Sequence, residues 1–513
     1  MEPASPAEEV VQEATAVPYV EAHETHSGVV VLVGDRAFKA KKPVHTDFLD
    51  FRTVEQREAA CAREVELNRR LAPESYLGVA HLHGPAGGVG EPIIVMRRYH
   101  DDQRLASMVK RGESVEYVLD SIAARLVDFH DRAERSRRIS LQGKPGAIYQ
   151  RWMDNFPTLQ RHADDAVSSA SVRRVQDLAA EYLAGRTCLF TQRVEAGCIV
   201  DGHADLLADD IFWVDDRPVL LDCLEFSDEL RYLDRIDDVA FLAMDLEFLG
   251  RKDLGDYFLD RYVARSGDSA PLSLIGFYIA YRAVVRAKVD CVRLSQGKPG
   301  ADAAAAQHLA IAERHLEDGA VRLALVGGGP GTGKSTLARM VAERVGALVV
   351  STDDVRQELR KSGRLGGEPG SLDAGLYAPA NVTAVYEEIL RRAGQHLAAG
   401  QSVILDGTWR DAQFRALARR LASDKHAPIT EIHCVLPADV AAERIKSRAP
   451  GNSDATPQIG AALAARDFQW DSAHRIDTAQ PLERCGQEVQ QLWRAAIDPP
   501  YRSHGEKGIG HVN

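Results

Sequence analysis

No stretch of the 513-residue chain stays apolar for the length of a bilayer, so no membrane-spanning helix is predicted. Cysteine is sparse. The seven, at positions 61, 188, 198, 223, 291, 434 and 485, include no C-x-x-C pair, which argues against a disulfide framework or zinc site and predicts a reduced, cytoplasmic protein. Cys223, inside an apolar run, reads as a small buried hydrophobe. An excess of positive charge is missing too. Lys and Arg number 63 against 75 Asp and Glu, and the net charge of −12 argues against a nucleic-acid partner except through a local basic patch. Met1 to Ala16 is acidic and polar and lacks the apolar core of a secretory signal. No repeat of fixed period is present. What remains is a hydrophobic content of 45% and a charged content of 27%, ordinary for a globular chain, at a length that one core cannot serve.

The clearest positive signal lies past the middle. The run Ala324-Leu325-Val326-Gly327-Gly328-Gly329-Pro330-Gly331-Thr332-Gly333-Lys334-Ser335-Thr336-Leu337 contains G-x-x-x-x-G-K-[ST], from Gly328 to Ser335. Its surroundings fit. Leu323 to Val326 predicts a buried strand, and Ser335 to Arg344 has helical spacing with Leu337 and Val341 on one face. Strand, glycine loop and helix N-terminus together aim backbone N–H groups and the helix dipole at phosphate. Gly328, Gly329, Pro330, Gly331, Thr332, Gly333, Lys334, Ser335 and Thr336 are therefore the expected ATP-binding residues. Lys334 would reach the β- and γ-phosphates, and the Ser335 hydroxyl would ligate Mg²⁺.

Strands and helices alternate after this loop. Ala347 to Ser351, Ser402 to Leu405 and Ile429 to Leu436 read as strands, and Asn381 to Ala398, Gln413 to Ala422 and Ala438 to Arg448 as helices. That order predicts a parallel sheet with ligands at the carboxyl ends of its strands. Residues 362–375 are glycine-rich and predict a mobile loop. At the ligand edge, Asp406 is expected to hold the metal through water. Asp353 is the candidate general base for an acceptor hydroxyl, or else a helix cap. Arg356, one turn on, could orient the acceptor, and Arg444 with Arg448 suits a lid that carries positive charge to the phosphoryl group. The glycine loop, Asp353-x-x-Arg356, Val403 to Trp409 and the two lid arginines together resemble the P-loop small-molecule kinases. Gluconate, shikimate, chloramphenicol and polynucleotide 5′-hydroxyl kinases and the zeta-type toxins belong there. The resemblance implies phosphoryl transfer to a hydroxyl and does not fix the acceptor.

The N-terminal part carries a second set of signals. Residues 1–25, with Pro3, Pro6 and Pro18 among acidic residues and alanine, read as a loose tail. Gly28 to Val33, a Gly34-Asp35 turn and Arg36 to Lys42 predict a hairpin. Val54 to Leu71 predicts a helix and Pro92 to Met96 a strand, with helices dominating from there to about 185. Asp205 stands in His203-Ala204-Asp205-Leu206, five residues before Asp210, and Asp222 closes the apolar run Pro218 to Leu221. Order and spacing match the catalytic and metal-binding acids of protein-kinase-type enzymes. Lys39 on an early strand and Glu64 on the next helix would form the accompanying ion pair, with Lys41 open as the alternative lysine on the same strand face. His203-x-Asp205 with Asp222, Asp237 and Asp238 resembles the aminoglycoside phosphotransferase family. The whole chain is similar to bacterial two-domain proteins joining such a lobe to a P-loop kinase-like ATPase, a similarity carried by Phe38 to Pro43, Cys61 to Leu71 and Leu221 to Leu246. It implies Asp205 as catalytic residue and Asp210 and Asp222 as metal ligands. The pattern departs at Ala204, Leu207 and Asp210, where the family has glycine, histidine and asparagine, and no G-x-G-x-x-G precedes Lys39. An active second site and a degenerate regulatory lobe are both open readings.

The expected architecture is a two-lobed protein-kinase-like α+β domain over 26–318, followed by a P-loop α/β domain with a parallel sheet over 320–498. Tails are expected at 1–25 and 499–513. The expected activity is transfer of the γ-phosphoryl group of ATP, with Mg²⁺, to a hydroxyl of a small molecule. Two other readings stand beside it: an ATP-binding switch with a degenerate kinase lobe, and a nucleic-acid 5′-hydroxyl kinase, which a basic groove near Arg356 and Arg360 would favour.

Overall fold

The computed structural model describes residues 20–24, 28–45, 50–84, 89–368, 373–447, 458, 462–463 and 469–497. The chain divides into two compact units, Met1–Arg135 with Val200–Gly267, and Ser136–Ile199 with Asp268–Asn513. The helices at 136–199 and 268–318, expected with the N-terminal domain, thus belong to the unit that carries the glycine loop. Among the described residues no helix is long and apolar enough to cross a membrane, and all seven cysteines are free thiols.

The first unit is built on a five-stranded antiparallel sheet. Its strands are β1 (Val20–Glu24), β2 (Gly28–Val33), β3 (Arg36–Lys41), β4 (Tyr76–Leu82) and β5 (Glu91–Arg97), in the order β1-β2-β3-β5-β4. Lys39 sits mid-strand between Val30 and Ile94. The helix Val54–Asn68 starts at a capping box, in which Thr53 accepts from the Gln56 N–H and Gln56 returns the bond to the Thr53 N–H. It packs Cys61 and Val65 with Ala37, Ile94 and Met96, which points Glu64 at the sheet. Two features differ from expectation. Val20–Glu24, part of the expected tail, pairs with β2, and β4 was not anticipated. Both lie at the sheet edges; β1 is half-polar, and in β4 a bulge at Gly78 and His81 interrupt the apolar residues, so neither shows an apolar run.

The short strands β6 (Ile199–Asp201) and β9 (Tyr232–Asp234) pair with each other. Between them lies the hairpin β7 (Ile211–Val214) and β8 (Arg217–Leu220), turned by Asp215 and Asp216 at φ 49° and 56°. Two positive φ angles are the geometry of a tight hairpin turn, which aspartate tolerates. Because Ile211 pairs with Leu220, Asp210 and Asp222 are delivered to the same open end of the hairpin.

The second unit carries a five-stranded, wholly parallel sheet. Its strands are β10 (Leu323–Gly327), β11 (Leu348–Ser351), β12 (Val403–Asp406), β13 (Ile429–Val435) and β14 (His474–Asp477), in the order β11-β12-β10-β13-β14. Ala324, Val326, Ile404, Ile432 and Ile476 on the strands meet Leu337 and Val341 of the helix Lys334–Val345 and Val489 and Trp493 of the helix Leu482–Ala495. β14 and that last helix went unpredicted; three of the four β14 residues are exposed, so the strand has no apolar signature. The helices Ser169–Gly185 and Leu272–Ser295 are fastened to this sheet domain by backbone capping. Arg186, 1% exposed, donates to the carbonyls of Gly185, Lys425 and His426 at 3.0, 2.8 and 3.5 Å, and Ser273 donates to the Gly400 carbonyl at 2.7 Å.

The closeness of this junction makes a sharp contrast between two helical glycines. A Cβ on Gly185 would lie 2.4 Å from the Lys425 carbonyl oxygen, whereas one on Gly146 meets nothing within 4 Å. Gly185→Ala is expected to destabilise the protein by about 1–3 kcal/mol. Gly146→Ala should be neutral or stabilising by at most about 1 kcal/mol. Thermal unfolding of the two variants checks both signs.

Candidate active sites

The glycine loop joins β10 to the helix Lys334–Val345, whose N-cap is Gly333. Thr332 closes the loop on itself by donating its hydroxyl to the Gly329 carbonyl at 2.9 Å. Gly331, at φ 80°, lies against the helix Ala438–Lys446, where an added Cβ would come within 2.4 Å of the Ala441 carbonyl oxygen. From that helix Arg444 reaches the loop. Its Nη1 is 3.5 Å from where a Gly333 Cβ would stand, and its Nη2 donates to the Thr478 carbonyl at 3.0 Å. Arg448, and the stretch 451–454 beside it, lie outside the described residues.

Parallel register sets Asp406 opposite Val326 on β10 and Ser351 on β11. Asp406 is 2% exposed, and its Oδ1 has no hydrogen-bond partner among the described residues. Burial pushes its carboxyl above the usual range, while the Lys334 ammonium and a hydrogen bond with Ser335 pull the other way. A buried carboxylate with a spare oxygen, beside a hydroxyl and a lysine, fits a hard, oxygen-ligated cation that keeps water and phosphate among its ligands. Among the described residues no group of three or more His, Cys, Asp or Glu could hold a metal ion by itself, and magnesium at a phosphate site needs none.

The cap of the helix Thr352–Lys361 is Ser351, which accepts from the Asp353 N–H at 3.2 Å, so the alternative reading of Asp353 as cap is corrected. Its carboxylate accepts from Arg356 Nη1 at 2.7 Å, and the Arg356 guanidinium lies 4.5 Å from the centre of the Tyr377 ring. Tyr377 and Tyr386, whose hydroxyl accepts from the Trp409 N–H at 3.1 Å, are site neighbours that the pattern of acids and glycines did not reveal.

In the first unit Lys39 and Glu64 meet. Lys39 Nζ is 2.8 Å from Glu64 Oε1 and 2.6 Å from Asp222 Oδ1. Lys41 takes the other Glu64 oxygen at 2.5 Å, bonds to Glu225 and lies over the Phe51 ring. Lys39 is therefore the lysine at the acids, and Lys41, 4% exposed, is tied into the interior. Burial works to lower the Lys39 pKa, and Asp222 and Glu64 more than reverse it. Burial would likewise raise Asp222, and Lys39 holds it below the usual range. The Asp222 side chain stays 41% exposed, accessible to a ligand, where Glu64 is fully enclosed. Asp210 is pushed well above the carboxylate range by burial, then by Asp222 and Asp205. A neutral carboxyl has nearly the shape of the asparagine that the resemblance places there.

The segment holding Asp205 is fixed by a buried network. Asp238 accepts from the His203 N–H at 2.7 Å, the Ala204 N–H at 2.8 Å and the His130 ring at 3.0 Å, and His130 also meets the Tyr262 hydroxyl at 2.7 Å. His130 comes from the helix Glu116–Arg132, too distant in sequence for its role to be read from spacing. His203 Nε2 donates to the Leu221 carbonyl at 3.1 Å while Nδ1 accepts from the Asp205 N–H at 3.3 Å, an arrangement that requires a neutral ring. Ala204 adopts φ 70°, the left-handed conformation that explains why glycine stands here in the resembling family.

Two outcomes follow for stability. Ala204→Gly is expected to stabilise the protein by up to about 1 kcal/mol, since relief of left-handed strain exceeds the added chain entropy. Burial lowers the His203 pKa from 6.5 to about 4, so the unfolded chain takes up this proton at higher pH than the folded one. The group's stability is complete above pH 6.5 and falls by about 3 kcal/mol as pH drops towards 4. His203→Asn should flatten that part of the stability–pH curve, measured by denaturant titration at stepped pH.

Residues 323–466 match the family model of the AAA domain. Over 483 residues the chain is 64% identical to protein Rv2004c of Mycobacterium tuberculosis, covering 94% of this chain and 97% of that protein, and equally to Mb2027c of Mycobacterium bovis. Over 135 residues, 26% of this chain, it is 33% identical to 71% of an adenylate kinase from Corynebacterium aurimucosum. A choline/ethanolamine kinase family protein from Mesorhizobium loti is 16% identical over 59% of this chain and 92% of its own, with a TM-score of 0.36, too low to add to the fold described above. The chain belongs to the family of these mycobacterial proteins, and its residues 323–466 form an AAA-type P-loop domain with an adenylate kinase among its relatives.

Proposed function

We propose that the chain is an ATP-dependent kinase whose P-loop domain transfers the γ-phosphoryl group to a hydroxyl of a small-molecule acceptor. The observation that carries this reading is the meeting of Asp406, Ser335 and Lys334 at one sheet edge, with Asp353 in the first turn of the helix that follows the neighbouring strand. In this reading the loop N–H groups and Lys334 hold the β- and γ-phosphates, and Arg444 adds positive charge beside Gly333. Bound magnesium would neutralise phosphate charge, held by Ser335 and, through water, by the spare oxygen of Asp406. Asp353 takes the proton from the acceptor hydroxyl, and Arg356 orients its carboxylate. The pairing of Arg356 with Asp353 and its contact with Tyr377 support a small acceptor over a nucleic-acid end.

A second phosphate site in the first unit is supported by the Lys39–Glu64 pair, already formed and in contact with Asp222. Asp205 is then its catalytic carboxylate, with Asp210 and Asp222 as metal ligands. The competing reading of that lobe as a regulatory switch is favoured by Leu207 standing where the resembling family has histidine and by the lack of a G-x-G-x-x-G ahead of Lys39. A metabolite-extract screen with γ-labelled ATP, run on wild type, Lys334→Ala and Asp205→Ala, separates the two. Lys334→Ala is expected to lose product formation by about 10²–10³-fold while Asp205→Ala retains it. The reverse pattern would move the chemistry to the first unit, and no labelled product from wild type would favour the switch.

A further inference from the structure

A cleft of about 460 Å³, lined by neither Lys39 nor Asp222, opens in the first unit. One wall comes from the helix Val54–Asn68 and its end, with Arg63, Leu67 and Arg70; the other comes from the helix Glu116–Arg132, with Arg125, Phe129 and Arg132. On each wall the three residues are spaced four and three apart, so each set shares a face. The four guanidinium groups are not equivalent. Arg63 is paired with Glu66 and Asp228 at 2.8 and 3.1 Å, and Arg70 with Asp201 at 3.4 Å. Arg125 donates to the Leu71 carbonyl at 3.0 Å and Arg132 to the Asp128 carbonyl at 2.9 Å, and among the described residues neither has a carboxylate partner.

Two guanidinium groups without counter-ions on one face of a helix, lining a concave site, are suited to a phosphate group, whose oxygens match the fork of arginine donors. The volume suits a small metabolite. Glu66 and Glu134, which also line the cleft, can accept from hydroxyl groups of such a ligand.

We propose that this cleft binds a small phosphate-bearing metabolite as an effector. The connection to the neighbouring site runs through Arg70. It donates to the carbonyls of Asp201 and Gly202 at 3.0 and 2.8 Å and to Cys223 Sγ at 3.3 Å, so it grips the backbone just before Asp205 and the residue just after Asp222. A ligand against Arg70 and Leu67 bears on that backbone and on the helix that presents Glu64. The effector consequence rests on the reading of Asp205 and Asp222 as a phosphate site; the binding itself does not.

Hydrogen–deuterium exchange on the full chain, with inorganic pyrophosphate as probe and no nucleotide, tests the binding independently of ATP turnover. Protection is expected at 63–71, 125–135 and 201–205, falling at higher salt. In Arg125→Gln/Arg132→Gln the pyrophosphate concentration needed for that protection should rise about tenfold or more. Arg132 is exposed, so the single variant Arg132→Gln serves as a folded control and should give an intermediate shift. Protection confined to the glycine loop at 328–336, or cleft protection unchanged in the double variant, would overturn the proposal.

Discussion

The C-terminal site depends on one constraint, the parallel register that places Val326, Asp406 and Ser351 side by side at the carboxyl ends of β10, β12 and β11. Each strand ends in a different chemical element: the glycine loop, the buried carboxyl and the Asp353 helix. A slip of one residue in β12 would turn Asp406 to the other face of the sheet and leave Ser335 and Lys334 without it. The apolar side chains of Ala324, Val326, Ile404 and Ile432, packed against the loop helix, hold that register. Core packing and charge placement are thus one problem in this unit.

In the proposed reading the two sites would recognise phosphate by different means. At the glycine loop backbone N–H groups would do most of that work, and Gly331 must be small because the helix bearing Arg444 presses on it. In the first unit it would fall to side chains. Lys39, Lys41, Glu64, Asp222 and Glu225 form an interlocked set in which every charge has an opposite neighbour. Such a set is stable without a ligand, because burying any one of its charges alone would be costly. A phosphate ligand would therefore compete with Asp222 for Lys39, and a cation on Asp222 would release it.

The acids of the first unit also show how position within a fold changes the meaning of a residue. Asp210 and Asp222 flank the same hairpin, yet one is driven towards the neutral form and the other held charged, since only Asp222 bonds directly to Lys39. Both oxygens of Asp238 are engaged by protein donors, Oδ1 by the Ala204 N–H and Oδ2 by the His203 N–H and the His130 ring. Asp238 anchors the backbone at His203 and Ala204, and so positions Asp205 from beneath.

By itself the sequence determined the glycine loop, its flanking strand and helix, the alternation that makes the second sheet parallel, and the spacing of Asp205, Asp210 and Asp222. These are local patterns, set by periodicity, turn chemistry and backbone freedom over a few residues. Edge strands β1 and β14 escaped because exposed polar side chains hide the alternation that marks a strand, and β4 because the bulge at Gly78 breaks it and Leu77 and Leu82 face outward. Only the tertiary structure decided that Lys39 rather than Lys41 meets Asp222, that Ser351 and not Asp353 caps its helix, and that His130 holds Asp238. It also placed the helices at 136–199 and 268–318 with the P-loop sheet, through Arg186 and Ser273. The physical reason is the same in each case. Charge pairing and burial depend on which distant segments share a few ångströms of space, and no local pattern encodes that distance.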